Sequence, residues 1–102
     1  MPDLASLLAS VVGFDWDAGN TTKNVLGHNV TQAEAEEIFF HTPVLVFDDA
    51  KHSITEQRWV LHGSTNADRP LTASFTVRDH RIRVISVRDM SRKERRVYDE
   101  AR

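Results

Sequence analysis

From Leu71 to Val77 the apolar side chains Leu71, Ala73, Phe75 and Val77 alternate without a break with the hydroxyls of Thr72, Ser74 and Thr76. A sustained period of two fits a strand that buries one face and leaves the other to polar surroundings. Asp79-His80 follows at once, and Asp tolerates the left-handed conformation that a two-residue hairpin turn demands. Antiparallel pairing across that turn sets Val77 opposite Ile82 and Phe75 opposite Val84. On the other face Thr76 falls opposite Arg83, and Arg78 lies beside Arg81. The segment therefore predicts a sheet with one apolar face and one face of hydroxyls and guanidinium groups, which is poor material for a core and good material for binding phosphate.

The rest of the chain supplies partners for that hairpin. Leu4, Leu7, Leu8, Val11 and Val12 recur at helical spacing and predict a short amphipathic helix before Gly13. Phe14 to Trp16 reads as a short extended piece, and Asp17 as the cap of a second helix reaching about Gly27-His28. Thr31-Gln-Ala-Glu34 is a capping box, in which hydroxyl and carboxylate each satisfy a free N–H at a helix start. Its helix carries Ala35, Ile38 and Phe39 inward and stops before Pro43. Beyond Pro43 the period changes to two: Val44 to Phe47 and Arg58 to His62 read as strands, the second punctuated by Gly63. Residues 51–57 and 64–70 read as loops. A second capping box, Ser91-Arg-Lys-Glu94, opens a helix that runs through Tyr98. The expected fold class is α+β, an antiparallel sheet of about four strands with two to three N-terminal helices and one C-terminal helix. All 102 residues are expected to form one domain, with residues 1–13 as an extension.

Composition narrows the function. With no cysteine among the 102 residues, disulfide frameworks and thiolate metal sites are excluded. No run approaches the roughly 20 apolar residues that cross a bilayer. The N-terminal stretch has an acid, Asp3, and no Lys or Arg, unlike a secretory signal. No membrane partner is expected, and the cytoplasm is the expected location. The net charge of −2 conceals an asymmetry: residues 1–77 carry 4 basic and 10 acidic side chains, and residues 78–102 carry 9 and 5. Opposite signs on two parts of one chain suggest one anionic and one cationic partner.

The four glycines form no phosphate loop, and the five histidines include no helical pair at metal-ligand spacing, so neither a metal nor a cofactor is expected. The basic segment is the informative part. Arg78, Arg81, Arg83, Arg88, Arg92, Lys93, Arg95 and Arg96 offer many charge-assisted donors. Metal-free RNA cleavage needs a base near the 2′-hydroxyl, an acid near the leaving 5′-oxygen, and cations around the phosphorane. His28, His62, His80, Glu94 and Tyr98 can move protons, and the arginines can carry the charge. The plainer account pairs the arginines with Asp89, Glu94, Asp99 and Glu100 and makes Tyr98 a packing residue.

In order and spacing these segments resemble the BrnT family of type II toxins, small ribonucleases of RelE-like fold. The resemblance runs from about Phe14 to Glu100. It rests on Phe14-x-Trp16-Asp17, Asn24, His28-x-Val30, Phe39-Phe40, Val46-Phe47-Asp48, Glu56-x-Arg58 and Gly63. Phe75-Thr-x-Arg78, Arg81-Ile-Arg-Val-Ile-Ser86-x-Arg88 and the closing Glu94-Arg95-x-x-Tyr98-x-Glu100 complete it. It implies a metal-independent endoribonuclease that inhibits translation and is neutralised by a ribbon-helix-helix antitoxin, with DNA reached only through that antitoxin. The catalytic positions it implies are His28, Arg58, Arg83, Arg88, Glu94 and Tyr98. Arg78, Arg81, Arg92, Lys93, Arg95 and Arg96 would bind RNA. The family tends to have Lys where this chain has Asn20 and Gly27, which opens a second reading: a catalytically impaired relative that only joins an antitoxin–DNA repressor complex. A plain RNA-binding module is a third.

Overall fold

The computed structural model describes residues 4–21, 28–52 and 55–102. Helix α1 (Leu4–Ala9) leads into strand β1 (Gly13–Phe14), and α2 (Gln32–Glu37) into β2 (Leu45–Asp48). Strands β3 (Trp59–Ser64), β4 (Pro70–Arg78) and β5 (Arg81–Asp89) follow, and helix α3 (Arg92–Ala101) ends the chain. The five strands form one sheet in the order β1-β5-β4-β3-β2. Among the described residues no helix is long and apolar enough to cross a membrane.

The α+β class is observed, and the hairpin pairs as its alternation requires. Val77 faces Ile82, Phe75 faces Val84, Thr76 faces Arg83 and Arg78 faces Arg81. Asp79 and His80 both have positive φ, 51° and 61°, which matches the turn to the twist of the strands it joins. Both capping boxes form: Thr31 with Glu34 and Ser91 with Glu94 each exchange two bonds between side chain and backbone.

The sheet departs from expectation at its edge, where it has a fifth strand that is parallel. Helix α1 stops at Ala9 rather than Val12, because the outer edge of β5 offers carbonyls that the chain can use. The Val12 N–H donates to His80 O at 2.7 Å and the Asp15 N–H to Ile82 O at 2.8 Å, so Gly13 and Phe14 add alongside Arg81 and Ile82. Strand β3 also continues through Gly63 instead of stopping there. A Cβ at Gly63 would lie 2.5 Å from the carbonyl oxygen of Ile38, so the glycine permits close approach of the α2 segment to the sheet. A 3₁₀ turn, Ala50–His52, occupies part of the expected loop. The helix expected from Asp17 is seen at residues 18–21 and again at 28, and its remainder, with Asn24 and Gly27, lies outside the described residues.

The core fills one face of the sheet. Leu61, Leu71, Ala73, Phe75, Ile82, Val84 and Val87 point toward Val30, Ala35 and Ile38. Phe39 and Trp59 meet the ring of Phe75 with centroids 5.1 and 5.6 Å away. A bulge places Val87 in this set. Ser74 pairs with Ser86 while Phe75 pairs with Val84, leaving Ile85 as an extra residue. Unbroken alternation from Val84 would have turned Ser86 and Arg88 into the core. The bulge instead buries Val87 completely and sends Arg88 to the face of Arg81 and Arg83.

Gly63→Ala tests the close approach. The added methyl meets a backbone carbonyl that no rotamer change can clear, so chemical denaturation should show a loss on the order of 1–3 kcal/mol or more.

Candidate functional site

The face opposite the core presents Thr72, Ser74, Thr76 and Arg78 from β4 beside Arg81, Arg83, Ser86 and Arg88 from β5. His62 of β3 joins the same face opposite Thr72, so Leu45, His62, Thr72 and Arg88 make a row across four strands. Helix α3 covers the end of this face that lies nearest β3. Tyr98 anchors it, fully buried, donating to Pro43 O at 2.8 Å. With that proton committed, the Tyr98 oxygen accepts from Ser64 Oγ at 3.1 Å, and Ser64 in turn accepts from His41 Nδ1 at 2.9 Å. Arg102 adds a guanidinium over the Tyr98 ring at 5.5 Å.

Most guanidinium groups of the open face are held by carboxylates. Arg78 grips Glu56 through two bonds of 2.6 and 2.8 Å. Arg83 grips Asp17 at 3.0 and 3.1 Å, with Asp15 at 3.4 Å. Arg88 grips Glu94 at 2.8 and 3.0 Å. Two clusters result. Around Glu56, the bond from Arg78 holds the carboxyl below its usual range, and the charges of Arg58 and Arg83 push the same way. At Glu94, the Arg88 bonds and the Ser91 backbone N–H outweigh partial burial and pull the carboxyl down to about 2. Burial lowers the pKa of His62, whose Nδ1 lies 2.9 Å from Thr72 Oγ1, while the Glu94 charge acts in the opposite direction.

The structure thus brings Arg58, Arg78, Arg81, Arg83, Arg88 and Glu94 to one face. It separates others from them. His28 is exposed beside Asp89, and Asp89 sits opposite Leu71 on the core-facing side of β5, away from Arg88. Tyr98 has no exposed hydroxyl: its oxygen is spent on Pro43 and Ser64, so the packing role describes it. Arg92, Lys93, Arg95 and Arg96 lie on the exposed side of α3, and none has an ion pair among the described residues. Asp89 pairs with Arg69, not with the basic segment. His62 belongs to the site by register, and its even spacing from Val60 on β3 was the available signal. Asn20 is a buried bracket: its amide donates to Val84 O at 2.9 Å and Asp15 O at 3.0 Å.

A mixed sheet with its core on one face and carboxylate-paired guanidinium groups on the other defines a compact α+β protein. The family model for the ribonuclease toxin BrnT of type II toxin-antitoxin systems matches residues 16–94. The chain belongs to that family. No curated relative matches it. Membership implies an RNA substrate and an antitoxin partner. All of the open-face arginines lie inside the matched span, whereas α1, β1 and Tyr98 lie outside it.

Glu94 carries a stability prediction. Its folded pKa of about 2 lies below its ordinary 4.5, so its contribution is complete above pH 4.5 and fades as the pH falls toward 2. Glu94→Gln should lower the melting temperature at pH 6–8 by an amount independent of pH. That gap should narrow on acidification from about pH 4.5 to 2. Tyr98→Phe should cost about 1–2 kcal/mol at every pH in this range, read by urea denaturation, because a buried carbonyl and hydroxyl lose their partner.

Proposed function

We propose that the open face binds the RNA backbone and cleaves it without a metal ion. The observation that supports this most is that one sheet face within the matched family span gathers Arg78, Arg58 and Arg83 around Glu56 and Arg88 at Glu94. A phosphate offers Arg83 and Arg88 the same bidentate geometry that Asp17 and Glu94 now occupy, and it can displace them. Arg58, Arg83 and Arg88 then neutralise the charge that grows on the phosphorane. Glu94, released from Arg88 and ionised, takes the proton of the 2′-hydroxyl as its oxygen attacks phosphorus. The bond from phosphorus to the 5′-oxygen breaks, and that oxygen takes a proton from solvent.

Arg78 and Arg81 extend the backbone track along the hairpin, and Arg92, Lys93, Arg95 and Arg96 continue it on α3. Tyr98 acts by holding α3, and hence Glu94, in place. The toxin domain comprises residues 14–100, with the N-terminal extension packed on it through Leu8 and Val11. A ribbon-helix-helix antitoxin neutralises it in the cytoplasm and carries the link to DNA.

The carboxylates already seated on Arg78, Arg83 and Arg88 favour a second reading, in which the chain keeps only its binding role in a repressor complex. One experiment separates the two. Purified protein is incubated with a mixed-sequence RNA in EDTA, and the products are resolved on a gel. The first reading expects cleavage unaffected by EDTA, with Arg83→Ala and Arg88→Ala each reducing the rate by roughly 10²–10³-fold. RNA left intact at high protein excess would overturn the first reading.

A further inference from the structure

The core-facing side of the sheet carries a second surface of opposite character. A groove of about 370 Å³ opens between the N-terminal segment and the end of the α2 segment. Leu8, Val11 and Val12 form one wall, and Phe39, Phe40 and Val46 belong to the other. Phe40 is 73% exposed and Val12 is 75% exposed, the two highest values among the large apolar side chains described. Phe40 is held in this position by an edge contact to Phe14, with centroids 6.1 Å apart. The groove therefore exists before any ligand arrives.

Its rim is acidic. Glu36 accepts from the indole N–H of Trp16 at 2.7 Å, and Glu37 from the backbone N–H of Asn66 at 2.9 Å. Both donors are neutral, so neither bond cancels the carboxylate charge. Asp48 stands two residues beyond Val46 on β2 and so falls on the same face of that strand. An RNA backbone is repelled by such a rim and has no use for the apolar floor. A protein segment with an apolar stripe and basic flanks fits both.

We infer that this groove is the docking site of the antitoxin, which engages it with an apolar segment flanked by Lys or Arg. The inference rests on the family reading, which supplies a protein partner, but not on RNA cleavage. The first wall, Leu8 to Val12, precedes the span that matches the family. Neutralisation would then be anchored on the side of the sheet opposite the arginines, leaving the rest of the antitoxin to reach around the edge.

The test uses the full chain, a purified antitoxin that neutralises it when the two are expressed together, and Phe40→Asp. Phe40 is largely exposed, so the variant should melt within about a degree or two of the parent and cleave RNA at the same rate. Its affinity for the antitoxin, measured by calorimetric titration, should fall at least about tenfold. A second variant, Val12→Asp, should do the same, and Arg81→Ala should change antitoxin affinity less than threefold. Unchanged affinity in both groove variants would overturn the inference. So would a parent chain that dimerises by sedimentation and loses the dimer in Phe40→Asp, since the occupant is then a second copy. If the parent does not cleave RNA, the proposed catalysis fails, and the affinities still decide the docking site.

Discussion

The register of the β4–β5 hairpin is the constraint on which the rest depends. Side chains on a strand alternate between faces, so a slip of one residue would turn every arginine of β5 into the core and every core residue out. The Asp79-His80 turn, with both residues in the left-handed region, fixes that register at one end. The bulge at Ile85 resets it midway, so that Val84 and Val87 are both buried. The core, the helices laid against it and the arginine face all follow from these two features. The parallel strand β1 completes the arrangement by satisfying the carbonyls of His80 and Ile82 on the outer edge.

The two capping-box glutamates show how one local motif takes on a second task. Glu34 and Glu94 each cap their helix, and each also receives an arginine: Arg69, from the loop just before β4, at 3.1 Å, and Arg88 of β5 at 2.8 Å. Placing the helix start therefore also places a carboxylate against a cation of the sheet or of the loop that leads into it. At Glu94 this produces a strongly held charge pair on the open face. At Glu34 it joins α2, Asn29 and the end of β5 through Arg69.

Much of this was legible in the sequence, for physical reasons particular to each element. The alternation from Leu71 to Val77, the turn and both capping boxes are local signals, and each formed as read. The bulge left a fainter trace, the apolar doublet Val84-Ile85 followed by Val87 out of step, and only a partner strand resolves it. β1 was not readable as a parallel strand, because two residues carry no period and the pairing depends on an edge built some seventy residues later. Gly63 read as a stop because its real constraint, the carbonyl of Ile38, is distant in sequence. Candidate site residues divided in the same way. The hairpin arginines followed from register, whereas the burial of Tyr98 and the separation of His28 follow from how α3 and the helical segment near residue 28 pack on the sheet. His62 needed the β3 pairing to join the row that ends at Arg88.

The central claim is that RNA meets the open sheet face through Arg78 to Arg88. Amide chemical shifts of isotope-labelled protein, titrated with an RNA in which every 2′-hydroxyl is methylated to block cleavage, test it directly. The account predicts saturable shifts concentrated at Arg81, Arg83, Ser86 and Arg88 and at the start of α3, weakening steeply as salt is raised. Shifts centred instead on Val12, Phe40 and Val46, with β5 unmoved, would contradict it.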